Sequence, residues 1–353
     1  MDHKLSEIIL GVDTHLDVHV GAVISASGSL LSTRSISVTS QGYQDLLEWA
    51  ESFGSVQRAG VEGTGTYGAA LCKYLINKDI KVIEVNRPNR IVRRLQGKSD
   101  PLDAENAARS VLAGTSTATP KLKNGASEAI RMITVARRSA VKAKTQAMNQ
   151  IRGLLVSAPQ DFRDRLWRTK PHECALACYR AKAKTETVTS QSLILTLKLL
   201  SKRWIALAAE LKLLDQELDK LTKEYCARLR SRMGVGPYCA AILVTAAGDN
   251  PGRLKSEASL AALCGVNPLP ASSGKITRHR LNRGGNRAAN NALWTIALVR
   301  SRSDPRTRNY VARRTQEGLT TKEIYRCLKR YIVRELYPLI LKDLQGISPR
   351  LLT

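Results

Sequence analysis

Acidic residues are in short supply. The chain carries 30 Asp and Glu against 56 Lys and Arg, a formal net charge of +26. That balance argues against a cationic partner and for a polyanionic one, because each Lys or Arg beside a phosphate releases condensed counterions. The excess is spread over the whole chain and not confined to a tail, which favours a nucleic-acid partner over a merely basic surface. No apolar run approaches the ~20 residues of a spanning helix. The N-terminus, MDHKLSEIILGVD, is charged early and reads as no signal peptide. The seven cysteines (72, 174, 178, 226, 239, 264 and 327) form no convincing metal set. Cys174 and Cys178 are four apart, but no Cys or His pair stands at zinc-finger spacing from them. An odd number of scattered thiols fits a reducing compartment, so the expectation is a soluble cytoplasmic protein. A GxxxxGK[ST] phosphate loop is also missing, and with it the usual sign of nucleoside triphosphate hydrolysis.

What is present is a chain of 353 residues, 43% hydrophobic, long enough for two or three domains. Residues 1–120 read as α/β. Strands are expected at Ile8–Val12, Val18–Ser25, Leu30–Val38, Val56–Glu62 and Ile80–Val85. Helices are expected from an N-cap at Ser40 through Trp49, and over Thr64–Asn77. Three consecutive strands followed by helices alternating with strands is the order of a ribonuclease H-like sheet. Residues 121–225 lack strand alternation. Leu193, Leu197, Leu200, Trp204, Leu207, Leu211, Leu214, Leu218 and Leu221 repeat at spacings of 4 and 3, a sustained heptad seam. An earlier helix spans about Ser127 to Leu155, and Pro159 and Pro171 lie in the connector. The pattern fits a helical hairpin, a dimerising coiled coil or an ordinary bundle within one subunit. Residues 226–353 are mostly helical with glycine-rich turns and end in an amphipathic helix from Thr321 to Leu344.

Four acids carry the chemistry of the first region. Asp13 ends the first strand in GVDTH, and Glu62 ends the fourth in VEGTGTYG. Neighbouring strands would set these two side by side. Asp100 and Asp103, in KSDPLDAENAAR, are i and i+3 and share one helix face. Asp103 is expected to be the closer ligand, and Asp100, before Pro101, could equally be the helix N-cap. Converging carboxylates suit Mg2+, a hard cation that takes oxygen ligands and assists phosphoryl transfer, with one or two ions at the site. His15 and His19 read as surface or half-buried residues, since magnesium does not prefer nitrogen ligands. The set suggests a metal-dependent nuclease core of the ribonuclease H and RuvC kind.

The C-terminal region adds two more segments. SRMGVGPYCAAILVTAAGD resembles half of a helix-hairpin-helix, in which Gly234 and Gly236 would shape a phosphate-holding turn; a plain helix–helix turn is the competing reading. CGVNPLPASSGKITRHRLNRGGNRAANNAL holds Ser272 and Ser273 before Gly274, then Lys275, Arg278, His279, Arg280, Arg283 and Arg287. Composition alone makes this a basic DNA-contacting loop.

GVDTH, VEGTGTYG, KSDPLDA, MGVGPYCAAILVTAAGD, CGVNPLPASSGK and LNRGGNRAANNAL together resemble a transposase of the insertion sequence 110 family, related to Piv-type DNA invertases. The resemblance runs nearly full length. It implies a RuvC-like domain with an Asp-Glu-Asp-Asp set, here Asp13, Glu62, Asp100 and Asp103, then a coiled-coil middle and a C-terminal transposase domain. It further implies a catalytic serine matched by Ser273, with Ser272 as the alternative, and a covalent phosphoserine link to DNA. A non-coding guide RNA pairing with target and donor DNA is implied as well. So is an active site shared between protomers, the acids from one and the serine from another. The heptad seam over residues 193–221 adds the expectation of a homodimer formed through it, assembling to a tetramer when two DNA duplexes are joined. The competing readings are a RuvC-like endonuclease with water as nucleophile, a site-specific invertase, and a non-enzymatic nucleic-acid-binding scaffold.

Overall fold

The computed structural model describes residues 6–85, 99–182, 187–274 and 279–345. The chain divides into two compact units, Met1–Leu122 and Lys123–Thr353.

The first unit is a five-stranded sheet with helices on both faces. The strands are β1 (Glu7–Thr14), β2 (Val18–Ser25), β3 (Leu30–Ser37), β4 (Ser55–Glu62) and β5 (Lys81–Val85). They lie in the order β3-β2-β1-β4-β5. β1 to β3 form an antiparallel meander, and β4 and β5 add on parallel to β1. Helix α1 (Ser40–Glu51) is capped by Thr39, whose side chain accepts from the Gly42 amide; the cap is one residue before the expected Ser40. Helix α2 begins at Ala69 and ends at Asn77. The expected start at Thr64 fails because the glycine-rich stretch from Gly63 to Gly68 stays a turn, closed by Thr66 and Gly68 amides on the Gly63 carbonyl. Leu10 and Val12 of β1, with Val61 of β4, pack on one sheet face among Leu46, Leu71 and Leu75. Helix α3 (Asp100–Leu112) covers the other face, where Ile9 and Ile24 meet Ala107, Ala108 and Val111.

The second unit is built on helices α4 (Ala126–Ser157) and α7 (Val188–Tyr225). Met148, Ile151 and Leu155, late in α4, share a core with Ile194, Leu197 and Trp204, early in α7. Ile130, early in α4, shares a second core with Leu218, late in α7. The two helices therefore run antiparallel as a hairpin, held midway by the Arg137–Asp215 ion pair. The heptad seam turns inward: Leu197, Trp204, Leu211 and Leu218 are buried in the chain's own fold. Of the partners that the spacing left open, the seam has found one within the subunit. Short helices α5 (Gln160–Leu166) and α6 (Pro171–Tyr179) close the hairpin's far end, contributing Phe162, Leu166, Cys174 and Cys178 to its core.

At the other end lie α8 (Ala227–Arg230), α9 (Pro237–Ala247), α10 (Glu257–Leu263), α11 (Arg287–Ser303), α12 (Pro305–Gln316) and α13 (Thr321–Gln345). α9 is the central rod, with Ala240 to Val244 all buried. A small antiparallel hairpin, β6 (Pro268–Pro270) and β7 (His279–Leu281), projects between α10 and α11. Six of the seven cysteines are buried, and Cys327 is partly exposed. Among the described residues no helix is long and apolar enough to cross a membrane.

Candidate metal centre

Gly11 of β1 and Gly60 of β4 are register partners. A Cβ on Gly11 would stand 2.1 Å from the Ala104 carbonyl oxygen of α3, and one on Gly60 would stand 2.7 Å from that of Ala107. The missing side chains let α3 cross the sheet with its backbone almost on the strands, which Ala104, Ala107 and Ala108 also permit by being small. Strand alternation then places Asp13 and Glu62, each two residues further on, on that same face. Asp13 is buried at the end of β1, and Glu62 is the half-buried last residue of β4. The Thr14 hydroxyl donates to the Glu62 carbonyl at 2.9 Å and pins the two strand ends together.

Asp100 and Asp103 open α3. The cap position belongs to Ser99, so Asp100 lies within the first turn and does not serve as the N-cap. One ligand atom each from Asp13, His15 and Asp100 lie within 4.8 Å of one another. His15 Nε2 is 3.2 Å from an Asp13 carboxylate oxygen and 3.5 Å from one of Asp100. Asp103, expected to be the closer ligand, is the more buried of the two helix acids and lies outside this trio. Its charge still reaches Asp13. Burial pushes the Asp13 carboxyl above its ordinary value, Asp103 and Asp100 add to the rise, and His15 opposes it. The donor set is chiefly carboxylate oxygen with one imidazole nitrogen, which suits a divalent cation. Oxygen donors alone would point to magnesium or calcium, and the imidazole widens the range toward manganese and iron. Sequence reasoning set His15 aside. Its signal was the spacing in Asp13-Thr14-His15, since i and i+2 side chains leave a strand end on the same side.

The other candidate residues lie in the second unit. Ser272 and Ser273 are exposed between β6 and β7, followed by Gly274 at φ +54°. Arg280 is on β7, Arg283 follows it, and Arg287 is the first residue of α11; all three are exposed. Lys275 and Arg278 fall outside the described residues. Asn286 caps α11, accepting from the Ala288 and Ala289 amides at 3.0 Å. Gly285 packs directly on Gly265, where an added Cβ would meet its nitrogen at 2.2 Å. Gly234 takes φ +79° in the turn before α9, and Gly236 is the N-cap residue of that helix. The turn is tied down by Arg300, which donates to the Met233 carbonyl at 2.8 Å and grips Glu335 with two nitrogens. Two clefts flank the base of the β6–β7 hairpin, one of 660 Å³ and one of 390 Å³, and Cys327 lines the smaller.

Comparison with known proteins bears on both units. A transposase family model, of the IS110 type with a DEDD domain, matches residues 10–158. A second, described as the transposase IS116/IS110/IS902 family, matches residues 226–312. The chain is 32% identical over 113 residues to the "Insertion element IS110 uncharacterized 43.6 kDa protein" of Streptomyces coelicolor, covering 32% of this chain and 28% of that one. It is 28% identical over 189 residues to the "Insertion element IS900 uncharacterized 42 kDa protein" of Mycobacterium paratuberculosis, covering 51% of this chain and 46% of that one. These matches span less than half the length of either relative. The acid-bearing domain and the serine-bearing domain are each matched by a model of one kind of transposase, and the chain belongs to the IS110 transposase family.

Proposed function

We propose that the chain is an RNA-guided DNA recombinase that cuts and rejoins strands for a mobile element, through a serine–DNA link formed with the help of a divalent-cation site. The observation that carries this is the convergence of Asp13, His15 and Asp100 at the end of β1, with Asp103 acting on Asp13 from one turn along α3. The strand order, with acids at the C-terminal ends of β1 and β4, supports a RuvC-like reading of the first unit. Asp13, Asp100, Asp103 and Glu62 would hold the cation, Mg2+ in this reading, with the His15 imidazole as a further donor beside Asp13 and Asp100. A cation so held lowers the pKa of an attacking hydroxyl and offsets charge on the phosphoryl oxygens.

The covalent step falls to Ser273, with Ser272 as its alternative. An Oγ–P bond forms as a P–O bond to the sugar breaks. The hydroxyl proton leaves the serine, and the departing sugar oxygen takes up a proton. Attack by a hydroxyl of the incoming strand reverses these changes and frees the serine. The number of phosphodiester-type bonds is conserved throughout, so no nucleotide need be hydrolysed. The basic residues Lys275, Arg278, Arg280, Arg283 and Arg287, and the turn at Gly234 and Gly236, would hold nucleic acid near the serine. The net charge of +26 supports a polyanionic partner; that this is DNA together with a guide RNA is what the family resemblance adds. A homodimer, pairing into a tetramer on target and donor duplexes, completes the reading. With the heptad seam covered by α4, its docking face would be the outward leucines of α7, Leu195, Leu199 and Leu213. Acting on the element's own DNA, the protein would work in the bacterial cytoplasm.

The test is covalent trapping. Purified protein, RNA from the region flanking the gene, labelled DNA and Mg2+ are incubated and resolved on a denaturing gel. The expected result is a protein-linked DNA band that disappears in both Ser273→Ala and Asp13→Ala. Cleavage with no linked band would replace the serine with water and make the protein an endonuclease.

A further inference from the structure

The larger cleft, of 660 Å³, lies between α11 and α13 and falls in the range of about 300–1,000 Å³ usual for small-ligand sites. Its two walls share one pattern. α11 presents Arg287, Asn290, Asn291 and Trp294, and α13 presents Lys322, Tyr325, Arg326 and Lys329. Both sets are spaced i, i+3, i+4, i+7, a single helix face. A face turned toward a neighbouring helix is ordinarily apolar. These two carry cations and amides. Arg283, Arg287, Lys322, Arg326 and Lys329 line the cleft, and no Asp or Glu stands among the described lining residues. Like charges gathered without a counter-charge repel one another, so the arrangement is stabilised by an anion.

Lys329 makes the point most sharply. It is only 8% exposed, and its Nζ donates to Asn290 Oδ1 at 2.8 Å. The Asn290 amide nitrogen is committed to the Cys264 and Gly265 carbonyls at 2.9 and 3.1 Å, which turns its oxygen toward the lysine. An ammonium offers three donors, and the neutral amide accepts one. Among the described residues no carboxylate lies within ion-pairing range of Lys329. Burial lowers its pKa, and Arg326 lowers it further. In the facing wall Trp294 leaves 45% of its surface open, the most of the chain's four tryptophans.

We propose that this cleft is a nucleotide pocket, taking one unpaired base of a nucleic-acid strand on the indole of Trp294 with the adjoining phosphate on Lys329, Arg326 and Arg287. The pocket rests on the reading that the chain handles nucleic acid, and adds a site for an unstacked nucleotide. Stacking on an aromatic side chain requires a base free of its own stack, so single strands and extruded bases qualify and an intact duplex does not. DNA and RNA strands share this chemistry.

Tryptophan fluorescence of the full chain, titrated with oligothymidylate and oligouridylate of about eight nucleotides, and with a duplex of equal length, tests the pocket. Single strands should quench the emission, and the duplex should not. Trp294→Leu should abolish the quenching and weaken single-strand binding, read by anisotropy of a labelled strand, roughly ten-fold. Lys329→Met should weaken binding while keeping the quenching at saturation, and should lower the slope of log affinity against log salt by about one. Lys329→Arg should keep the affinity, which a fold defect would not. Tighter binding of oligouridylate assigns the pocket to an RNA strand, and tighter binding of oligothymidylate assigns it to DNA. If Trp294→Leu binds single strands as the unaltered chain does, or the unaltered chain shows no quenching, the pocket is wrong, and the trapping assay stands independently. If the serine adduct is absent but Trp294→Leu loses single-strand binding, the recombinase reading fails and the pocket survives.

Discussion

Gly11 and Gly60 face each other across β1 and β4, and the backbone of α3 rests on both. The acids of the candidate centre owe their proximity to this pair, which contributes no functional group. Gly11→Ala should destabilise the first unit by about 1–3 kcal/mol, the usual range for overpacking a tight core, because the new methyl meets backbone that cannot swing aside. Gly60→Ala should act in the same direction. Both should also weaken divalent-cation binding as α3 is pushed off the sheet. The control is Gly153, exposed on α4 with nothing within 4 Å of an added Cβ. Gly153→Ala should raise stability by about 0.5–1 kcal/mol. Urea midpoints of the three variants check the contrast.

Asp100 belongs to the trio with Asp13 and His15, and Asp103 does not. Asp100→Asn should therefore lower Mn2+ affinity more than Asp103→Asn does, by at least roughly ten-fold, a difference of about 1.4 kcal/mol. His15→Ala should weaken Mn2+ binding more than Mg2+ binding, since imidazole is the poorer partner for magnesium. Isothermal titration with each ion measures both. Equal losses from Asp100→Asn and Asp103→Asn would give the two acids the same hold on the cation and overturn the ranking.

Alternate residues of the heptad seam, Leu197, Trp204, Leu211 and Leu218, are buried within the chain, so polar substitution there should act on stability. Leu211→Gln and Leu218→Gln should each cost about 2–5 kcal/mol, the range for losing a buried leucine. Leu195→Glu together with Leu199→Glu lies on the outward face of α7 and should leave the melting temperature within a few degrees. If a second copy docks on that face, this double variant lowers the mass seen by light scattering. An unchanged mass would remove the outward leucines from the assembly.

Asp249 supplies a pH test away from the candidate centre. It is buried, and it accepts from the Ser127 amide at 2.8 Å at the start of α4. Burial raises its carboxyl above the ordinary 3.8, outweighing the hydrogen bonds that lower it. A raised carboxyl means that the folded chain binds the proton more tightly than the unfolded chain does. Its contribution therefore turns against folding as pH rises from 3.8 through the raised value. Asp249→Asn keeps an acceptor for Ser127 and should gain stability over the unaltered chain at neutral pH, with the gain fading below about pH 3.8. Asp249→Ala leaves the amide unsatisfied and should lose about 1–3 kcal/mol.

Much of the first unit was legible because its signals are local. Ile8–Val12 is an apolar run followed by Asp13, and Val56–Glu62 ends on its acid; both are strands, the first running one residue past Asp13 to Thr14 and the second ending at Glu62. The approach of α3 was not legible, since it depends on two glycines 49 positions apart falling into register. For the same reason spacing could not rank Asp103 and Asp100: it puts both on one face, and only the height of the helix above the sheet decides which meets Asp13 and His15. His15 was passed over on ligand preference, although its place two residues after Asp13 already pointed its ring at the acids. In the second unit the heptads were plain, but a seam states its appetite for a partner and not which chain supplies it. The cleft between α11 and α13 was hidden because Asn290 and Lys329 are 39 residues apart and only the packing joins them.

The burial of six cysteines leaves one accessible thiol. Cys327 is partly exposed and lines the smaller cleft beside Arg326 and Arg330. A maleimide dye added to the native chain would accordingly mark a single position, with no cysteine introduced or removed. That position adjoins the basic surface where strands are expected to lie. The molecule thus carries its own spectroscopic handle, and arrival of nucleic acid at the second unit can be timed by the dye's environment alone.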